Sequence, residues 1–154
     1  MRISILAVGR LKERWWSQAA DEYLKRLGPF ARTEVLEVPD RDVSRQEDAA
    51  VAREGDDLLR ALPEGAYVVA LDSSGKERTS EELAAWLEQR MLGGVSHIAF
   101  VVGGAAGLDR RVVERADESL SLSAMTFPHQ MARVILLEQL YRAFKIIRGE
   151  PYHR

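Results

Sequence analysis

Apolar and polar positions along the chain switch between two periods, and the switches mark out the elements. Arg2 to Val8 (RISILAV) is a short β-branched run ending at Gly9, which predicts a first strand. From Glu13 to Leu27, apolar Trp16, Ala20, Tyr23, Leu24 and Leu27 recur at helical spacing, and Gly28-Pro29 stops the helix. Thr33 to Val38 alternates and predicts a second strand, closed by Pro39-Asp40. Ser44 with Glu47 has the pattern of a capping box, opening a helix through Leu62 that is acidic outside and ends at Pro63 and Gly65. Tyr67 to Leu71 (YVVAL) and His97 to Val102 (HIAFVV) are continuous apolar runs, as expected of strands buried on both faces of a parallel sheet. Between them Thr79 and Glu82 repeat the capping-box pattern, and their helix ends near Gly93-Gly94. Asp109 is placed to cap a short helix, RRVVERA, and Ser119 to Ser123 (SLSLS) alternates as a fifth strand. His129 to Ile147 predicts one long helix, ended by Gly149 and Pro151.

Strand and helix alternate throughout, without repeats or low-complexity stretches. The order predicts an α/β fold with an open, mostly parallel sheet and helices on both faces. Ligands of such folds sit beyond the C-terminal ends of the strands. Here those ends are Val8-Gly9, Leu71-Asp72, Val102-Gly103 and Leu122-Ser123.

Composition narrows the class. With 154 residues, 46% hydrophobic and 30% charged, residues 1–154 suit one globular domain with a buried core. No apolar run approaches the roughly 18 to 20 residues of a membrane span, and the opening MRISILAVGR is too short in its apolar run for a signal peptide. A cytoplasmic protein is expected. Cysteine is absent, which excludes disulfides, zinc-thiolate sites and a Cys nucleophile, and no His/Asp/Glu spacing matches a metal site.

The net charge of −2 hides an asymmetry. Residues 1–32 carry seven basic and three acidic side chains, residues 33–128 ten and nineteen, and residues 129–154 five and two. Two basic ends flank an acidic middle, and a fold that joins them would present a positive surface on an acidic protein. The counts alone also describe scattered, solvated charges, the more common arrangement.

Candidate chemistry gathers in the loops after the apolar strands. Gly103, Gly104 and Gly107 fall within five residues after a strand, where backbone without Cβ atoms approaches a ligand or makes a tight turn. The run GGAAG fits neither common phosphate-loop motif. Asp72 is positioned to bind a ribose hydroxyl or to cap its own turn, and Lys76 to meet a phosphate or simply be solvated. Ala124 to Pro128 is apolar enough for a buried loop, whose backbone would need partners such as a planar ligand. On the long helix, Gln130, Glu138, Arg142, Lys145 and Arg148 fall within an arc of roughly 120°. The remaining surface is largely apolar, so the helix is expected to pack on two sides, against the sheet and against a second subunit. Arg133 and Gln139 interrupt that apolar arc as interface or site residues. Among the histidines, His97 reads as structural and His129 as a base or a packing residue. His153 lies in a terminal Tyr152-His153-Arg154 that suits RNA contact if ordered.

Several of these stretches together resemble one family. LSLSAMTFPHQMARVILLEQLYRAFKII, the GGAAGL loop, VVALDSSGK and the terminal PYHR are similar to the ribosomal RNA large subunit methyltransferase H family, small methyltransferases of the SPOUT class. The opening ISILAVGRLKE and the length match as well. The resemblance implies an α/β knot with a C-terminal trefoil. It also implies a homodimer and transfer of a methyl from S-adenosylmethionine to N3 of a pseudouridine in 23S rRNA. Carried over by position, the cofactor would meet Leu71, Gly103, Leu122, Ser123, Ala124, Met125, Thr126 and Phe127. The family's glycine loop usually reads GGPEG, whereas Ala105 and Ala106 stand here. No metal is implied. The N3–H of a pseudouridine is a weak acid, so the reaction needs a base or stabilisation of the developing anion. Arg154, Arg142 and His129 are the candidates for the anion and His153 for the proton, with Tyr152, His153 and Arg154 closing over the target base. A SPOUT enzyme acting on tRNA and a non-catalytic nucleotide-binding module are the competing expectations.

Overall fold

The computed structural model describes residues 1–152; the expectations placed on His153 and Arg154 lie outside the described residues. Ten elements follow the alternation: β1 (Arg2–Val8), α1 (Arg14–Leu27), β2 (Arg32–Val38), α2 (Glu47–Ala61), β3 (Tyr67–Glu77), α3 (Ser80–Leu92), β4 (His97–Val102), α4 (Arg110–Arg115), β5 (Glu118–Ser121) and α5 (His129–Ile147). The five strands form one sheet in the order β2-β1-β4-β3-β5, and every pairing is parallel. Alternate strand residues face opposite layers. Ile3, Ile5, Val69, Ile98 and Phe100 pack beneath α1, α3 and α5, while Leu6, Val8, Val68, Ala99 and Val101 pack with Leu58 of α2 and Val112 of α4.

Two helix starts that look alike in sequence differ in structure. Thr79 accepts the backbone N–H of Glu82 while the Glu82 side chain takes the N–H of Thr79, a complete capping box. Replacing Thr79 with Ala removes one acceptor and should cost about 1 kcal/mol, read as a lower midpoint in urea unfolding. The Ser44–Glu47 box does not form: α2 begins at Glu47 with Gln46 as its N-cap. Instead, the Ser44 N–H donates to Asp42 Oδ1 at 2.9 Å, a local turn that competes with the cap.

β3 runs six residues beyond its apolar core, because the strand leaves its register with β5 after Leu71 and rejoins at Lys76, opposite Leu120. Gly75 makes the return possible: a Cβ there would lie 2.7 Å from the Ser119 backbone. β5 starts one residue earlier than its alternation suggested and stops at Ser121. Lys76 is therefore an exposed strand residue rather than a phosphate-binding loop residue.

Of the packing expected of α5, the side within the chain is filled: the helix lies over the sheet, with α1 along one flank and α3 along another. Phe30 stacks on Phe144 at 5.6 Å and Arg26 lies over Tyr141, so the two basic ends of the sequence do lie side by side.

Candidate active site

The C-terminal ends of β3, β4 and β5 open into a single cleft of about 630 Å³, within the range of small-molecule sites. Its walls come from three loops. Leu71, Asp72 and Ser73 come from the stretch of β3 that leaves its register with β5, Val102 to Ala105 with Gly107 and Leu108 from the end of β4 and its loop, and Leu122 to Pro128 from the loop after β5, with His129 and Ala132 of α5 closing one end. Leu71, Gly103, Leu122, Ser123, Ala124, Met125, Thr126 and Phe127 thus share one surface.

Local chemistry shapes each loop. A Cβ on Gly103 would lie 2.6 Å from the Gly107 backbone, and Gly107 itself sits at φ +84°, so this turn closes only with glycine at both positions. The β5 loop is ordered by its serines: Ser121 Oγ donates to the Ser123 carbonyl at 3.0 Å, and Ser123 Oγ accepts the Met125 N–H at 2.9 Å. Asp72 caps its own turn, accepting the N–H and the hydroxyl of Ser74. The expectation of a buried Ala124–Pro128 loop is corrected: Met125 is 76% exposed, and Ala124, Thr126 and Pro128 are exposed too. These side chains form the wall of an open cleft, so their apolar surface lacks the cover a buried loop would have. Overpacking Gly103 against Gly107 costs about 1–3 kcal/mol. Gly103→Ala should therefore distort this wall of the cleft and lower the midpoint of urea unfolding.

His129 is half-buried at the cleft's end, and burial first, then the charge of Arg133, push its imidazole below the usual range. It is neutral at pH 7 and can accept a proton. Arg133, 3% exposed, anchors this corner: it donates to Glu37 at 2.6 Å and to the Gly9 carbonyl at 2.8 Å, tying α5 to the end of β1. Gln139 accepts from Ser80 Oγ and donates to Glu138. The interruptions of the apolar arc thus brace α5 and do not line the cleft.

Arg142 and Tyr152 form a separate cluster. The Arg142 guanidinium donates to Glu138 Oε1 and lies 4.8 Å from the Tyr152 ring centroid, and the Tyr152 hydroxyl donates to the same carboxylate at 3.1 Å. Burial, then hydrogen bonds to Tyr23 and Glu138, push the Tyr152 hydroxyl up to about 12, so it stays protonated. Thirteen residues of helix, about 20 Å, separate His129 from Arg142. The structure does not bring this cluster to the cleft of its own chain.

One buried carboxylate escaped the sequence reading. The helix α2 is expected to be acidic outside, yet Glu54 is 3% exposed, with Oε2 accepting the Arg41 N–H and Oε1 beside Gly104. Burial raises its carboxyl above the usual range. Its signal was the spacing Ala50, Glu54, Leu58, which sets it on the apolar stripe of the helix.

Comparison with known proteins places this geometry. The family model described as "Predicted SPOUT methyltransferase" matches residues 1–153. The protein named ribosomal RNA large subunit methyltransferase H of Symbiobacterium thermophilum is 52% identical over 161 residues, and that of Acetivibrio thermocellus 49% over 159, each alignment covering both chains completely. Among solved structures, a probable methyltransferase from Bordetella pertussis Tohama I shares the fold with a TM-score of 0.58 at 16% identity, covering 93% of this chain and 96% of that one. A sheet whose strand-end loops form one cleft, a model match across nearly the whole length and relatives at about half identity lead to one conclusion: the chain belongs to the SPOUT methyltransferase family.

Proposed function

We propose that the chain is an rRNA methyltransferase that uses S-adenosylmethionine to methylate N3 of a pseudouridine in 23S rRNA, working in the cytoplasm as a homodimer. The observation that carries this reading is the convergence of the β3, β4 and β5 loops on one cleft, in a chain aligned end to end with relatives named for rRNA methylation. The cleft fits the donor chemically. Exposed Met125 and half-buried Leu122 and Phe127 offer apolar contact to a purine, and the loop backbone offers N–H and C=O groups. Leu71, Gly103, Leu122, Ser123, Ala124, Met125, Thr126 and Phe127 would hold it. When bound, S-adenosylmethionine supplies a methyl made electrophilic by its sulfonium.

The chain's own residues then manage a nitrogen and a proton. Neutral His129 stands at the cleft's end, where it can accept a hydrogen bond or a proton. Arg142 and Tyr152, with His153 and Arg154, act at the target base: the arginines oppose the developing negative charge, His153 takes the proton, and the Tyr152 ring packs on the base. Since Arg142 stands far along α5 and Tyr152 packs beside it, both away from the cleft of their own chain, their role requires a second copy, the tail of one chain serving the cleft of the other. Alignment of nitrogen, methyl and sulfur supplies much of the acceleration. The test incubates the purified chain with labelled S-adenosylmethionine and either large ribosomal subunits or tRNA, and maps the product by mass. Methylpseudouridine in 23S rRNA supports the reading; label only in tRNA, or in neither, overturns it.

A further inference from the structure

We propose that the turn from β1 into α1, carrying Arg10, Lys12, Arg14 and Trp15, is a docking platform for an unpaired stretch of RNA beside the cleft. The proposal rests on the rRNA-methyltransferase reading and names where the substrate's flanking nucleotides lie. Trp15 is 64% exposed, and its ring meets no other aromatic ring among the described residues. A tryptophan left this open is unusual in a soluble domain unless a partner covers it. Around it the chain alternates: Arg10, Lys12 and Arg14 are exposed, while Leu11 and Glu13 are half-buried, Leu11 against the core. None of the three cations forms an ion pair among the described residues, whereas Arg26, Arg41, Arg78, Arg90 and Arg111 all have carboxylate partners. Three exposed cations without an ion pair among the described residues, within five positions of an exposed tryptophan on one turn, match single-stranded RNA, which offers phosphates and unstacked bases together.

The platform is also in the right place and is held still. Ala7 at the end of β1 lies beside Val102 at the end of β4, which lines the cleft. Glu13 lies within electrostatic reach of His129, so the turn borders the cleft's end. Buried Arg133 fixes the Gly9 carbonyl at 2.8 Å, immediately before the cations begin. A second copy of the chain is the other occupant such a surface could take, but three clustered cations favour a polyanion over a surface carrying the same charges.

The experiment compares the full-length chain with Trp15→Ala, Trp15→Phe and the triple variant Arg10→Gln, Lys12→Gln, Arg14→Gln. Affinity for a fluorescein-labelled single-stranded RNA 12-mer is read across a salt series, and KM for large ribosomal subunits is read in the methylation assay. Trp15→Ala should weaken RNA binding about 5- to 100-fold and raise KM for the subunits, with affinity for S-adenosylmethionine unchanged. Trp15→Phe should restore most of the loss. The triple variant should reduce the slope of log affinity against log salt by about 2. Unchanged RNA affinity and KM in every variant, while the parent chain still methylates rRNA, overturns the platform alone. A shift in oligomeric state with RNA binding intact also overturns it, assigning the patch to a contact between copies. A parent chain that neither binds nor methylates RNA overturns the functional reading along with it.

Discussion

Removing residues 152–154 should abolish methyl transfer to rRNA, a fall of at least about 10²-fold, while affinity for S-adenosylmethionine stays within about twofold. The asymmetry follows from placement. Every residue assigned to the cofactor lines the cleft at the ends of β3, β4 and β5, whereas Tyr152 is held on Glu138 beside Arg142, far along α5. Tyr152, so far from its own cleft, contributes nothing to cofactor binding there, yet the chemistry requires groups that oppose charge and move a proton. The same placement makes a sharper result available by mixing two impaired chains. A truncated chain supplies an intact cleft, and a Gly103→Ala chain supplies an intact tail. Mixed dimers should methylate faster than either parent. Truncated protein that still methylates ribosomes at the normal rate would sink the assignment of the tail. Mixed dimers no faster than either parent would place the tail's role within one chain.

The second large effect concerns stability. Glu118, at the start of β5, accepts from the Tyr67 hydroxyl at 2.6 Å, Arg78 at 2.8 Å, Trp86 Nε1 at 3.0 Å and Arg90 at 3.4 Å. Its side chain is 19% exposed, and Arg90 also lies over the Tyr67 and Trp86 rings. Glu118→Ala leaves two guanidinium groups without their counter-charge and two ring donors without an acceptor. A loss of about 3–5 kcal/mol is expected, read by urea unfolding at pH 7. Burial alone would raise the Glu118 carboxyl, but the hydrogen bonds from Tyr67, Arg78 and Trp86 outweigh it and leave the group below its usual range. A carboxylate depressed by folding stabilises the fold at pH above its unfolded value, near 4.3, and loses that contribution as pH falls through the folded value. The gap between parent and Glu118→Ala should therefore be full at pH 7 and shrink in acid below about pH 4. A gap independent of pH would mean that packing, not charge, carries the effect.

Burial and glycine decided how much of this was readable in the sequence. β1, β4 and α5 have the limits that their residues suggest, because two are strongly apolar runs that end at glycine and the third ends at Gly149. The cleft was legible for the same reason: strand ends declare themselves, and ligands of parallel sheets sit beyond them. What failed involves choices between equal local options. Ser44 and Thr79 carry the same capping pattern, but only at Ser44 does an aspartate two residues earlier capture the backbone first. The excursion of β3 depends on Gly75 meeting β5, a contact between residues more than forty positions apart. Glu54 departs from the acidic outside expected of α2, because its spacing with Ala50 and Leu58 sets it on the buried stripe. The polar arc of α5 put Glu138 and Arg142 four residues apart on one face, but nothing in the sequence alone brought Tyr152 to them.

The strand order has a consequence during synthesis. β4 sits between β1 and β3 and joins the two halves of the sheet, yet it is the fourth strand made. At about 5–20 residues per second, the inner edge of β1 waits roughly 5 to 20 s for His97–Val102 to leave the ribosome. During that time it presents an unpaired edge and two isoleucines, Ile3 and Ile5, that the finished fold buries completely. The nascent chain is thus most vulnerable to misassembly just before β4 appears, and the arrival of six residues seals both cores at once.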